Sequence, residues 1–183
     1  MRARSHDPLR LDVEAFAKEG GQLEGRWPLG GFARLGESAH AEAGPAEGDE
    51  VAWHAAGELR PVRGGAPQVW LHVAGQASLN LECQRCLQPV AVPLAVQRSF
   101  RFVADEATAA AIDAGREDDV LVLTRALDLH ELVEDELILG LPLVPRHESC
   151  PQPLSLPAEA PEPLEEGPHP FAALAALKRS ERH

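Results

Sequence analysis

Tyrosine is missing from this chain, and aromatic residues make up only 4% of it. The interior must therefore come from aliphatic side chains, chiefly Leu and Val, although a hydrophobic share of 44% is ordinary for a globular protein. Positive charge is scarce too. Lys and Arg number 17 against 29 Asp and Glu, and the formal net charge of -12 repels a phosphate backbone at long range. Generic nucleic-acid binding is thereby disfavoured, leaving a local basic patch or docking on a basic protein, of which the acidity favours the second. Long apolar runs are also lacking. The opening MRARSHDPLRLDVEAFAKEGG has no signal-peptide core and no later stretch approaches membrane-spanning length, so a cytoplasmic protein without a membrane partner is expected. The three cysteines are an odd count with two only three positions apart, which suits metal or thiol chemistry better than a secreted disulfide framework.

The 183 residues suggest one domain with room for loose ends. Asp12 is placed to cap a helix running to Lys18 and ending at Gly20-Gly21. Weak alternation marks candidate strands at 23–27, 32–35 and 51–59, with a solvated Ala/Gly/Glu loop at 37–50. The clearest strand signal begins at Gln68: Val69, Leu71 and Val73 alternate with polar or small residues, and the pattern resumes at Leu79, Leu81 and Cys83. Gly75 between the halves is a candidate bulge. After CQRCLQP the period of two returns from Val90 to Phe102, with Arg98 as the exception, so two long antiparallel strands should meet at the cysteine turn. An Ala-rich helix at 105–115 and a short strand at 120–123 follow. Asp128 and Glu131 then form a capping-box-like start to the main helix, whose Leu129, Leu132, Val133 and Leu137 recur at helical spacing until Pro142.

These elements predict an α+β fold: a mainly antiparallel sheet with one main packed helix over residues 1–150. A Pro/Glu-rich segment at 151–168 reads as a disordered, flexible linker. Residues 169–183 read as a short C-terminal amphipathic helix with Phe171, Leu174 and Leu177 on one side and Lys178 and Arg179 near its end. That stripe needs a surface, either the protein's own sheet or a partner's groove, and the linker-like composition before it tips the choice toward a partner.

Cys83 and Cys86 form C-x-x-C, and His147 and Cys150 form H-x-x-C. Together they supply the four soft or borderline donors of tetrahedral zinc. Four protein ligands leave no open position, so such a zinc is structural, a knuckle in a turn between strands. The competing reading makes Cys83 a buried sheet residue, Cys86 a turn residue and the distal pair an accident of a mobile tail. A thioredoxin-like role is disfavoured because strands, rather than a helix N-terminus, flank the motif. Two enzyme signatures are imitated and fail. His40 and Glu42 mimic the deaminase H-x-E, but Gly44 and Pro45 break any helix behind it and Glu82 replaces the proline before C-x-x-C. His130-Glu131 starts an H-E-x-x-H-like run in which Glu134 replaces the second His. Glu131, Glu134, Asp135 and Glu136 read as an ordinary solvated face or as a dock for a basic partner. Arg85, Arg98 and Arg101 are candidates for a small RNA-contacting basic spot beside the cysteine turn.

Three segments, LECQRCLQPV, DLHELVEDELILGLPLVPRH and HPFAALAALKR, together resemble the YceD family, the large ribosomal RNA subunit accumulation proteins. Their order and placement carry the resemblance, which runs from residue 68 to the end. It implies a non-catalytic role in synthesis, processing or stability of 23S rRNA, with precursor rRNA or ribosomal assembly proteins as direct or indirect partners and no small-molecule substrate. It carries over no catalytic residue. Family members bear further cysteines after the equivalent of the LPxxP stretch, in keeping with metal. The chain departs from the family in its insertion at 38–50 and in His169, where Asn more often precedes Pro-Phe. The rival expectation is a thiol- or zinc-dependent enzyme using the C-x-x-C turn.

Overall fold

The computed structural model describes residues 6–113 and 119–151. The first helix, α1 (Val13–Lys18), starts where Asp12 Oδ1 accepts the Ala15 N–H at 3.0 Å, and it buries Val13, Phe16 and Ala17. Strand β1 (Gln22–Pro28) follows. The expected strand at 32–35 is instead helical: a 3-10 turn at Leu29–Gly31 leads into the short α2 (Ala33–Gly36). Leu29, Phe32 and Leu35 explain the difference, because their spacing of three puts all of them into the core only if the chain coils.

The rest of the sheet comprises β2 (Glu50–Arg60), β3 (Gln68–Glu82), β4 (Pro89–Val103) and, after the crossover helix α3 (Glu106–Asp113), β5 (Asp119–Val122). Spatial order follows chain order; all neighbours are antiparallel except β5, which runs parallel to β4 beside Phe100–Val103. Strands β3 and β4 form one long hairpin in unbroken register from Val69↔Phe102 to Glu82↔Pro89. No bulge forms at Gly75, which pairs with Val96 in step with its neighbours. Its role is clearance, since a Cβ there would lie 3.2 Å from Val133 and 3.7 Å from Leu137. Those two residues belong to the main helix, α4 (Leu129–Leu139), capped by Asp128, which accepts the N–H groups of His130 and Glu131, and ending at Gly140 ahead of Pro142. The loop at 37–49 is anchored to the hairpin, with the His40 N–H on the Asn80 carbonyl at 2.7 Å.

Alternation decides which side of the sheet is covered. Val51, Trp53 and Ala55 on β2, with Leu71 and Val73 on β3, face the layer formed by α1, α2 and α4; His54, His72 and Gln97 face the other way. Helix α1 sits so close to β2 that a Cβ on Gly57 would meet the Ala17 backbone at 2.8 Å. Gly57→Ala is therefore expected to force α1 off the sheet and cost about 1–3 kcal/mol, and urea denaturation showing unchanged stability would refute that packing. Among the described residues no helix is long and apolar enough to cross a membrane. The expected linker and terminal helix, with Phe171, Leu174 and Leu177, lie outside the described residues.

Candidate metal centre

The β3–β4 hairpin turns through Cys83-Gln-Arg-Cys-Leu-Gln-Pro89. The turn is closed by two bonds, Cys83 N–H to the Gln88 carbonyl at 3.0 Å and Leu87 N–H to the Cys83 carbonyl at 2.8 Å. Leu87 takes a positive φ of 60°, a conformation that a branched side chain adopts at a cost and holds only where its surroundings demand it. Beyond α4 the chain runs back alongside this turn, and Gln84 N–H donates to the Pro145 carbonyl at 2.9 Å. That contact, with one from His147 to the Pro89 carbonyl, delivers the distal pair. Cys83 Sγ lies 4.0 Å from Cys150 Sγ, Cys86 Sγ lies 3.5 Å from His147 Nδ1, and all four donor atoms fall within 4.8 Å of one another. A tetrahedron with metal–sulfur bonds of about 2.3 Å has sulfur–sulfur edges of about 3.8 Å, so the donors stand close to ligating separations.

Histidine protonation in this group follows from its neighbours. Its Nε2 lies 3.1 Å from the Pro89 carbonyl, which can only accept, so the ring proton belongs on Nε2 and the Nδ1 lone pair faces Cys86. A backbone carbonyl orienting a ligand imidazole through its far nitrogen is the usual outer support of a zinc-bound histidine. Cys83 and Cys86 are buried, at 0% and 4% exposure, while His147 and Cys150 are partly covered. Burial pushes the Cys83 thiol up, but N–H groups of His147, Arg85 and Cys86 outweigh it and hold the group down at about 5. Burial and the neighbouring Cys86 and Cys83 push Cys150 up. One sulfur thus favours the anion while its neighbour resists a second negative charge, a conflict that a divalent cation at the centre removes.

The other residues singled out from sequence scatter. Arg85 is exposed in the turn itself. Arg98 and Arg101 sit on opposite faces of β4, as a separation of three residues requires in a strand, so they share no surface with each other. Arg98 donates to Glu136 on α4 at 3.1 Å, and Arg101, paired in register with Trp70, lies about 40 Å along the hairpin from the turn. The expected basic spot therefore does not assemble. The acids of α4 divide in the same way. Glu134 is buried and accepts the Arg34 and Leu35 N–H groups at 2.8 and 3.1 Å and the Arg34 guanidinium at 3.0 and 3.1 Å; Asp135 also binds Arg34. Glu134 is thus a structural acid closed off from any docking face, whereas Glu131 is exposed. The Pro89 carbonyl and the Pro145 contact had no signal in the sequence, because backbone atoms are common to every residue type.

The family model for "Large ribosomal RNA subunit accumulation protein YceD" matches residues 71–178, more than half of the chain. This chain belongs to the YceD family. The matched stretch includes all four candidate ligands and α4. A Haemophilus influenzae protein named Large ribosomal RNA subunit accumulation protein YceD is 38% identical over 108 residues, covering 57% of this chain and 62% of that protein. The chain thus aligns with less than two thirds of that relative's length. No solved structure matches this YceD family member.

Proposed function

We propose that this chain is a non-catalytic cytoplasmic factor in the synthesis, processing or stability of 23S rRNA, reaching precursor particles chiefly through basic ribosomal assembly proteins. Membership of the YceD family is the observation that carries this reading. The net charge of -12 supports a protein-mediated route, since neutralisation of phosphates by Lys and Arg is what drives sequence-independent RNA binding. Cys83, Cys86, His147 and Cys150 hold one structural zinc that staples the hairpin turn to the chain leaving α4. Four protein ligands leave a tetrahedral ion no position for water, and the buried cysteines occupy a closed turn, so the thiol- or zinc-dependent enzyme is the weaker reading. Arg85 is the cation of the turn that remains available for a direct RNA contact. Glu131 and Asp135 offer charge to a basic partner, and Phe171, Leu174 and Leu177 supply an apolar stripe for its groove.

Affinity purification of the full chain from cells tests this function. Large-subunit rRNA precursors and ribosomal proteins are expected to co-purify. Deletion of residues 169–183 should abolish that association while leaving Tm nearly unchanged. Absence of ribosomal material from the full-length sample sinks the reading, and a truncation that lowers Tm without reducing association reassigns the stripe to the protein's own sheet.

A further inference from the structure

Residues of a strand present their N–H and C=O groups alternately to the two sides. In β4 the sides can be assigned. The Gln88 carbonyl accepts from Cys83, which places even-numbered residues toward β3, and the Val103 carbonyl accepts from Leu123 N–H at 2.8 Å, which places odd-numbered residues toward β5. Strand β5 covers that outer side only beside Phe100–Val103. Among the described residues, nothing pairs with the N–H groups of Ala91, Ala95 and Gln97 or with the outward carbonyls of Ala91, Pro93, Ala95 and Gln97, whereas the carbonyl of Pro89 faces His147. Both prolines of this stretch, Pro89 and Pro93, stand at outward positions, where a missing N–H breaks no existing ladder bond.

Open edges are normally protected by charge or by proline, and Pro93 is the guard that this edge carries. The opposite edge of the sheet follows that rule, since β1 carries Glu24 and Arg26 on its exposed positions. On β4 the corresponding side chains are Ala91, Pro93, Ala95 and Gln97, small or neutral and exposed. The flank of this edge is acidic. Arg98 is held there by Glu136, and Asp119 at the start of β5 and Asp135 on α4, the latter also bound to Arg34, both act on Glu136. Asp119 has no ion-pair partner among the described residues. Leu139, 72% exposed, adds an aliphatic side chain beside Gly140, where a Cβ would touch Val96.

We propose that the open length of β4, residues 91–97, takes an extended Lys- or Arg-bearing peptide segment of a protein partner as an added strand in line with β5. The N–H groups of Ala91, Ala95 and Gln97 and the outward carbonyls, at strand spacing, match a polypeptide backbone with one donor missing at Pro93, and the unpaired Asp119 beside this edge favours basic side chains on it. RNA offers no such ladder and is repelled by the same carboxylates. As the means by which a ribosome-assembly factor holds its partner, this rests on the reading above, yet it is decided separately.

The probe is an acetylated peptide alternating Lys and Val over about nine residues, enough to span the edge, added to the full chain at physiological salt. Controls carry Glu in place of Lys, or N-methyl groups along one bonding side. Saturable binding by fluorescence anisotropy is expected, with slowed amide exchange at Ala95 and Gln97. Both control peptides and the Gln97→Pro variant, which removes one outward N–H as Pro93 already does, should bind at least about tenfold more weakly, a difference of about 1.4 kcal/mol. Equal binding of the N-methylated peptide to the native chain overturns the proposal whether or not Gln97→Pro folds. So does unchanged exchange at the two amides, or a dimer of this chain that Gln97→Pro dissociates, which would make the occupant a second copy. Failure of the peptide to bind while rRNA still co-purifies removes the edge and keeps the family function; binding without ribosomal material does the reverse.

Discussion

Stripping the full chain with a strong chelator is expected to lower its Tm by roughly 10 °C and to release about one equivalent of zinc. The magnitude follows from linkage: an ion present at about a thousand times its dissociation constant stabilises the native state by about 4 kcal/mol. A protein of this size shifts by about 2–4 °C per kcal/mol. The loss is large because the metal joins segments more than sixty residues apart, the turn at Cys83 and Cys86 and the irregular run at His147 and Cys150, which without it are tied by the Gln84–Pro145 and His147–Pro89 hydrogen bonds and packing. Cys86→Ser and Cys150→Ser should each abolish stoichiometric zinc in elemental analysis of untagged protein. Affinity should also fall as pH falls, since protons compete for thiolates. Metal-free protein with the native Tm would dispose of the site.

Glu134→Ala is expected to cost about 3 kcal/mol. The substitution removes four hydrogen bonds at once and leaves the N–H of Leu35, a fully buried residue, without an acceptor. An orphaned buried donor costs about 1–3 kcal/mol. Loss of the ion pair adds less than for a fully buried pair, because Arg34 keeps 47% of its side chain in solvent and can rehydrate. Glu134→Gln should lose about half as much, since the amide oxygen can still accept from the two backbone groups while its NH2 faces the guanidinium.

The pH dependence gives an independent check. Burial pushes Glu134 up, but the Leu35 N–H, the Arg34 side chain and the Arg34 N–H together hold it below the ordinary glutamate value. Its contribution is therefore complete above that ordinary value and is lost as pH falls through the depressed one. Burial raises Glu136 despite Arg98, so its contribution has the opposite sign, present below the ordinary value and lost as pH rises through the raised one. Urea denaturation of the Glu134→Gln variant should accordingly lose part of the acid-side fall in stability seen in the native chain. An identical acid limb in both proteins would show that Glu134 does not carry it.

Where the responsible interactions are local, the sequence alone determined the structure. Alternation from Val69 to Phe102 specified the long hairpin and its covered face, because a strand's side chains change sides at every residue whatever surrounds it. Asp12 and Asp128 specified two helix starts, since a cap bonds N–H groups only two or three residues away. Cys83 and Cys86 marked the turn as a candidate metal half-site by their spacing, and family membership was legible in three short segments. Only the tertiary structure decided the parallel placement of β5, the helical course of Phe32–Leu35 and the partners of the charged side chains. Arg34 and Glu134 lie 100 residues apart, and Arg98 meets Glu136 across 38. A carboxylate that is solvated, docking or buried looks the same in a sequence, because its fate depends on which cation or N–H group the folded chain brings within 3 Å, and that is set by the packing of whole elements rather than by neighbours along the chain.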